Sequence, residues 1–117
     1  MDTYPKVSES DRTILVTFAP VEQTRERDLR MVLDFDSKGD VSGIEILSFV
    51  FFAGENSLSS LDPYMRVEDQ LPRCVYDKGS DSFYLQLKPG SSVDQRAVDG
   101  HVFQDVRGRV IGFRAEW

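Results

Sequence analysis

The sequence predicts a mainly β protein built from two tandem antiparallel units that share one core about a pseudo-two-fold axis. Three observations support this: alternating apolar segments, turn-forming residues between them, and a motif that occurs twice. Asp36–Gly43 reads Asp-Ser-Lys-Gly-Asp-Val-Ser-Gly, and Asp105–Gly112 reads Asp-Val-Arg-Gly-Arg-Val-Ile-Gly at an offset of 69 residues. A recurrence of this kind is typical of a duplicated structural unit.

The repeated motif is typical of a tight β-hairpin turn. Its aspartate, Asp36 or Asp105, can accept hydrogen bonds from backbone N–H groups of the turn. Its glycine, Gly39 or Gly108, has no Cβ and therefore tolerates a positive φ. We expect each copy of the motif to close a hairpin.

The first unit reads as strand, break, strand, hairpin and strand. Residues 1–11 are polar and are expected to form a loose lead-in. Thr13–Phe18 is rich in β-branched residues and is followed by a proline, which predicts a strand. Residues 22–28 are charged without apolar periodicity, so we expect a loop, whereas 29–35 alternate as a half-buried strand. The return strand is predicted to span Val41–Phe52.

A connector at about 53–75 joins the units. Its turn-forming and capping residues allow one short helix between 54 and 72. The second unit repeats the layout of the first, with a strand region at 74–88 and a second hairpin formed by 97–104 and 109–116. We therefore expect two units with the same order of strands.

Length and composition limit the class of protein. The 117 residues suit one domain with repeats at about 7–52 and 76–117. A net charge of −6 argues against nucleic-acid and anionic-membrane partners, which require a positive face. The longest apolar run, Ile44–Ala53, is too short to span a bilayer. A single cysteine and a polar start to the chain favour a cytoplasmic protein.

Several segments together resemble a known family. The second copy has Tyr76-Asp77, then Asp81, then Phe83–Leu87 and Asp99–Val102, and the first copy has Val32–Leu47. Joined, they resemble short bacterial and archaeal proteins catalogued as a domain of unknown function. In that family a strand of the form Tyr-Asp…Asp-aromatic-aliphatic leads to Asp-Gly-x-Val and then to Asp-x-Asp-x-x-Gly-x-Val-x-Gly-Ile-Glu-Ile-Leu.

The resemblance covers most of 7–49 and 76–117, and each copy keeps a different part of the pattern. It implies that single-unit members associate with themselves and that this chain is a fused pair. The family has no settled activity. Some members are encoded beside small toxin-like proteins, which implies an antitoxin-like role as one hypothesis.

One pattern imitates a calcium site. Asp34, Asp36 and Glu45 stand at positions 1, 3 and 12 of an EF-hand loop. Lys38 at position 5, however, puts a cation where a ligand oxygen belongs, and the flanking segments read as strands rather than helices. We therefore expect a β-hairpin here and assign no metal and no cofactor.

Two other combinations suggest catalysis only weakly. Cys74 and His101, the single residues of their types, can form a nucleophile–base pair, but no spacing indicates a third group. Asp77 and Asp81 can belong to an acid-based hydrolase, although acids at strand ends usually cap turns. We assign no catalytic residue.

The aromatic residues near the middle and the end of the chain are candidates for an interface. Phe49, Phe51, Phe52 and Trp117 are core if their strand is covered on both faces. If they are exposed, they mark a subunit or partner interface, where aromatic residues concentrate.

Opposite charges occupy matched positions of the two copies. Glu45 matches Arg114, and Asp40 matches Arg109. Identical charges near a two-fold axis repel, so fusion of two copies would permit complementary ones. We expect Glu45 and Arg114 to lie close together, with independent drift on solvated surfaces as the alternative.

The function expected from these observations is a non-enzymatic protein-binding or assembly module. Its partner would be another protein or a second copy of the chain. The alternatives are a small acid-based hydrolase and an antitoxin-like partner of a small toxin.

Overall fold

A computed structural model describes residues 4–20, 23, 25–65, 70–90 and 92–117. Within these residues the chain forms one curled antiparallel sheet of eight strands, which confirms the predicted fold class. The strands are β1 (Lys6–Ser10), β2 (Thr13–Thr17), β3 (Arg25–Phe35), β4 (Val41–Leu47), β5 (Arg73–Asp77), β6 (Ser82–Gln86), β7 (Asp94–Gln104) and β8 (Val110–Glu116).

The order of the strands interleaves the two units. It runs β1-β2-β8-β7-β3-β4-β6-β5, and every neighbouring pair is antiparallel. The hairpin β1–β2 of the first unit therefore pairs with β8 of the second, and the hairpin β5–β6 pairs with β4 of the first. Because β2 and β6 each find a partner in the other unit, neither unit completes its sheet alone.

The pairing of the strands is symmetric about the centre of the sheet. The bounds of β2, β3 and β4 recur 69 residues later as those of β6, β7 and β8. β3 and β7 pair along their whole length, and Arg30 lies opposite its own equivalent, Asp99. A two-fold rotation about that point exchanges β3 with β7 and the β2–β8 pairing with the β6–β4 pairing. The pseudo-two-fold axis thus passes between Arg30 and Asp99.

The edge strands follow a slightly different offset. Lys6 pairs with Thr17, whereas Arg73 pairs with Gln86, the equivalent of Thr17. β5 therefore matches β1 at an offset of 67 residues. The turn between β5 and β6 is two residues longer than the turn between β1 and β2, which accounts for the difference.

Two strands begin earlier than the apolar pattern predicts. The expected lead-in contains β1, although all five of its side chains are exposed. β3 begins at Arg25, inside the expected loop at 22–28, of which residues 22 and 24 lie outside the described part. Both segments are held by backbone pairing, β1 to β2 and Arg25 to Gln104. Apolar periodicity reports burial, so it misses such strands.

The return strand also differs from the expectation. β4 ends at Leu47, and Ser48 adopts a left-handed conformation with φ 54°. A short helix, α1 (Phe49–Ala53), replaces the predicted end of the strand. A 3-10 helix at Glu55–Leu58 and the helix α2 (Asp62–Met65) follow in the connector, whose residues 66–69 lie outside the described range.

The core fills the inner face of the curled sheet. Alternate residues of the strands point into it, and α1 and the connector cover one side, where the ring of Phe49 stacks on that of Phe83 with centroids 4.8 Å apart. Leu61 from the connector is fully buried. The largest fully buried side chains are Phe49, Phe83, Phe113, Ile14, Met31, Leu33, Ile44, Ile46, Leu61, Leu85, Gln104 and Val16.

Both hairpin turns use the same hydrogen bonds. In each, Oδ1 of the aspartate, Asp36 or Asp105, accepts the backbone N–H groups two and four residues later at 2.9 and 3.0 Å. The glycine three residues after the aspartate has a positive φ, 84° at Gly39 and 81° at Gly108. These turns join β3 to β4 and β7 to β8.

Replacing Gly39 or Gly108 by valine should destabilise the protein by about 1–2 kcal/mol, because a β-branched residue is strained at positive φ. A Cβ at Gly39 would have no atom within 4 Å, so the loss there would come from the backbone. Urea unfolding measures it, with Gly79→Ala, whose φ is not positive, as the control. Losses no larger than that of the control would contradict the strained geometry.

Candidate binding surfaces

The helix α1 is held by a side chain from the other unit. Asp81 lies in the turn before β6, and its carboxylate accepts the backbone N–H groups of Val50 at 2.8 Å and Phe51 at 3.0 Å. Its backbone carbonyl accepts the N–H of Phe49 at 3.0 Å, and the hydroxyl of Tyr76 donates to its carboxylate at 2.7 Å. Asp81 therefore caps the start of α1 and explains why the chain leaves the sheet there.

The four aromatic candidates for an interface fall into two groups. Phe49 is fully buried in the core, and Trp117 is partly buried and packs edge-on against the core residue Phe35 with ring centroids 5.4 Å apart. Phe51 and Phe52 face outward with 80% and 51% of their surface exposed, and their rings contact each other at 5.0 Å. Because α1 is a helix, successive residues point in different directions, and the run divides between core and surface.

A second candidate surface is a groove between the two ends of the curled sheet. It has a volume of about 330 Å³ and lies where β1 and β2 approach the start of β4 and the end of β6. Its apolar lining includes Val7, Ile14, Val41 and Leu87. Val7, on the edge strand, is 43% exposed.

The pseudo-two-fold axis relates this groove to a region that the connector fills. The equivalents of Val7 and Leu87 are Cys74 and Phe18, which are 1% and 3% exposed. There Tyr64 packs on Phe18 with ring centroids 5.4 Å apart and donates its hydroxyl to the Phe18 carbonyl at 3.1 Å. Ser60 donates its hydroxyl to the carbonyl of Val110, the equivalent of Val41. The two regions thus differ at the edge strand, where Val7 is 43% exposed and Cys74 is buried, whereas Ile14 and Val41 at the base of the groove are as buried as their equivalents Phe83 and Val110.

The sequence predicts no binding site at the residues of this groove. Val7 lies in the predicted lead-in at the start of the first repeat, and its equivalence to the buried Cys74 depends on the offset of 67 residues. That offset becomes visible only when the unequal turns before β2 and β6 are recognised. An alignment that allowed two extra residues at 78–81 would have provided the signal.

The calcium-like pattern serves the fold. Asp34 is buried, and its carboxylate accepts the hydroxyl of Tyr84 at 2.9 Å and the amide of Gln95 at 2.7 Å. Burial, together with the bond to Asp34, raises the pKa of Tyr84 to about 12. Asp36 is occupied by the hairpin turn, and Lys38 is exposed. The flanks are strands, as expected.

The cysteine and the histidine lie on opposite faces of the sheet. Cys74 belongs to the core on β5, and burial raises the pKa of its thiol to about 12. His101 lies on the outer face of β7, with its Nδ1 2.8 Å from a carboxylate oxygen of Asp28 and 3.8 Å from one of Glu26. The structure does not bring Cys74 and His101 together.

Opposite charges do meet at matched positions, but at a different pair. β3 and β7 lie between the strands of Glu45 and Arg114, and the registers offset the two residues by a further four positions along the strands, so they are not neighbours in the sheet. On the pseudo-two-fold axis, Arg30 and Asp99 form an ion pair with Nη1 3.3 Å from Oδ1. Both side chains are largely exposed, so the pair contributes little stability.

Three aspartates, Asp36, Asp81 and Asp105, have lowered pKa values and accept hydrogen bonds from backbone N–H groups. A fourth, Asp77, accepts a hydrogen bond from the N–H of Gly79 in its own turn, as acids at strand ends commonly do. The backbone N–H of Asp40 lowers the pKa of Asp36. Burial works to raise the pKa values of Asp81 and Asp105, but the hydrogen bonds that they accept bring both below 3.8. Such carboxylates stay ionised, which suits capping rather than proton donation.

Among the described residues, no helix is both long and apolar enough to cross a membrane. Comparison of the chain with family models, with curated proteins and with solved structures gave no match. The resemblance to the domain family therefore stays a prediction.

Replacing Asp81 by alanine should release α1 and cost about 1 kcal/mol of stability, as the loss of a helix cap does. Because the folded state lowers the pKa of Asp81, its contribution is present above the ordinary value of 3.8 and is lost as the pH falls through the folded value. The difference in unfolding free energy between wild type and variant should therefore shrink below a pH of about 4.

Amide hydrogen exchange separates this cap from a general loss of stability. Asp81→Ala should speed exchange at Val50 and Phe51, whereas the control Asp77→Ala, which removes a cap only from its own turn, should leave both amides unchanged. Equal effects of the two variants on these amides would contradict the role given to Asp81.

Proposed function

We propose that this chain is a non-enzymatic module that binds another protein chain through the exposed aromatic face of α1. The exposure of Phe51 and Phe52, side by side, is the observation that carries the proposal. Leu47, which directly precedes α1, is 54% exposed and extends the apolar surface. Adjacent exposed aromatic residues are characteristic of interface centres, where aromatic anchors supply much of the binding free energy.

The way in which α1 is held supports this role. Asp81 caps its first turn, and the amide of Gln104 donates to the carbonyl of Ala53 at its end at 2.8 Å. The stacked ring of Phe49 anchors the helix to the core. A surface held in this way loses little conformational freedom on binding, so more of the contact energy appears as affinity.

The acid-based hydrolase is supported less well. A catalytic acid needs a carboxyl with a raised pKa in a cleft. Asp36, Asp81 and Asp105 have lowered pKa values because they accept several hydrogen bonds. The groove of about 330 Å³ has an apolar lining with one acid, Glu9.

We further infer that the chain arose by duplication of one unit, which the recurrence of three strands at one offset supports. This origin fits the resemblance to single-unit proteins that associate with themselves. An antitoxin-like role would be a special case of protein binding and would use the same face of α1. We place the module in the cytoplasm, since its one cysteine, Cys74, is unpaired and buried.

A photo-crosslinking amino acid at position 51 tests the binding face. In cells that express the chain, benzoylphenylalanine in place of Phe51 should give one dominant crosslinked protein, and Phe52→Ser in the same chain should remove most of that product. With the purified chain, a crosslinked dimer would identify the partner as a second copy.

The matched control carries benzoylphenylalanine at Val106, which is 79% exposed on a hairpin turn. It should give little product. The same products from positions 51 and 106, or a product unaffected by Phe52→Ser, would contradict a specific interface at α1.

A further inference from the structure

Three side chains that can bind a metal ion converge on the outer face of the sheet, across the central pairing of β3 with β7. Glu26 and Asp28 are alternate residues of β3, and His101 lies directly opposite Asp28 on β7. One atom from each side chain, the imidazole Nδ1 or a carboxylate oxygen, lies within 4.8 Å of the other two. Both acids fall in the segment that the sequence predicts as a loop, so only the strand pairing brings this cluster together.

The imidazole nitrogen of this cluster is buried without a hydrogen bond. His101 Nδ1 is inaccessible to solvent, and no described residue forms a hydrogen bond with it. An oxygen of Asp28 lies only 2.8 Å away, but it is not aligned with an N–H group on Nδ1. In a metal site the ligand atoms point at the ion rather than at one another, so a close and unaligned contact is the geometry expected there.

The distances between the ligand atoms suit one transition-metal ion. Bonds of about 2.1 Å place neighbouring ligand atoms about 3.0 Å apart in an octahedral site and about 3.4 Å apart in a tetrahedral site. His101 Nδ1 is 2.8 Å from an oxygen of Asp28 and 3.8 Å from one of Glu26, values that bracket both geometries. The carboxylates are 41% and 80% exposed at Glu26 and Asp28, so rotation of these side chains can adjust both distances.

The charges of the cluster favour a divalent cation. Two carboxylates and one neutral imidazole supply two negative charges, and the imidazole selects transition metals over magnesium and calcium. The cations beside the cluster contact other groups. Arg30 pairs with Asp99, and Arg114, opposite His101 on β8, holds its guanidinium over the ring of Phe103 at 5.8 Å from the centroid.

The pseudo-two-fold axis relates this cluster to positions that carry neither an imidazole nor a carboxylate. At the offset of 69 residues, the equivalents are Gln95 for Glu26, Ala97 for Asp28 and Val32 for His101. The ligand set is therefore complete on one side of the axis and absent from the matching positions on the other. The second set also identifies a residue that the same strand pairing accommodates at each position.

We propose that Glu26, Asp28 and His101 bind one divalent transition-metal ion such as Zn²⁺, which links the two units across their central strand pairing. The ion takes one oxygen from each carboxylate and Nδ1 from the imidazole, and water fills its remaining positions. The ligands lie on β3 and β7 rather than on α1, so the inference goes beyond the protein binding proposed above.

Zinc titration of the whole chain by isothermal titration calorimetry tests the site. One ion should bind per chain with a dissociation constant below about 100 µM. Zinc at about 1 mM should also raise the melting temperature, because an ion that binds the native state stabilises it. Calcium at the same concentration should have neither effect, since it prefers oxygen ligands. Imidazole ¹H–¹⁵N correlation spectra should show zinc on Nδ1 of His101.

The equivalent residues supply the variants, which are Glu26→Gln, Asp28→Ala and His101→Val. Each should weaken zinc binding at least about ten-fold, since loss of a residue that merely orients a ligand costs that much. The matched control, Asp99→Asn, removes an 85% exposed carboxylate from the same face of β7 and should leave the affinity unchanged.

Three results would overturn the site: no binding of zinc at about 1 mM, an affinity that His101→Val leaves unchanged, or an equal loss of affinity with Asp99→Asn. Equal binding of calcium would overturn the assignment to a transition metal. The crosslinking at position 51 does not depend on any of these outcomes.

Discussion

The structure depends on the antiparallel pairing of β3 with β7. It runs along the full length of both strands and places Arg30 opposite Asp99, its equivalent 69 residues later. A strand that pairs with its own equivalent in antiparallel register generates a two-fold axis at the centre of the pair. The axis relates the other two pairings between the units to each other. The strands β8 and β2, which follow β7 in the sheet, match the strands β4 and β6, which follow β3 on the opposite side.

The exchange of hairpins has an energetic consequence. Since β2 pairs with β8 and β6 pairs with β4, the apolar faces of both units are buried in one core rather than two. A three- or four-stranded unit with one apolar face cannot bury it alone. The chain has only one connector, however, and it covers one of two equivalent regions. The connector therefore buries Cys74 on one edge strand, whereas its equivalent on the other edge strand, Val7, is 43% exposed.

Much of the fold could be predicted from the sequence, because its signals are local. The aspartate and glycine of each turn report their own backbone geometry, and the alternation in β2, β3 and β6 reports which face is buried. β1 and the start of β3 were missed because backbone pairing leaves no apolar pattern. α1 was missed because its cap, Asp81, lies far away in the sequence and is brought close only by the fold.

The binding surfaces were predicted less completely for a related reason. The sequence indicated Phe51 and Phe52 as interface candidates but could not separate them from Phe49. The direction of each side chain depends on whether the segment is a helix or a strand, and the sequence predicted a strand where the structure has a helix. Complementary charge at matched positions was also expected, at Glu45 and Arg114. Which matched pair lies on the axis depends on the register of β3 against β7, and Arg30 with Asp99 occupies it.

A map of cross-strand NOEs in solution tests the interleaved arrangement most directly. The account predicts contacts between Arg30 and Asp99 at the centre of the sheet, and between Val16 of β2 and Phe113 of β8. Contacts of β2 with β3 or β4 of its own unit in place of β8, or a β3–β7 register that separates Arg30 from Asp99, would contradict it.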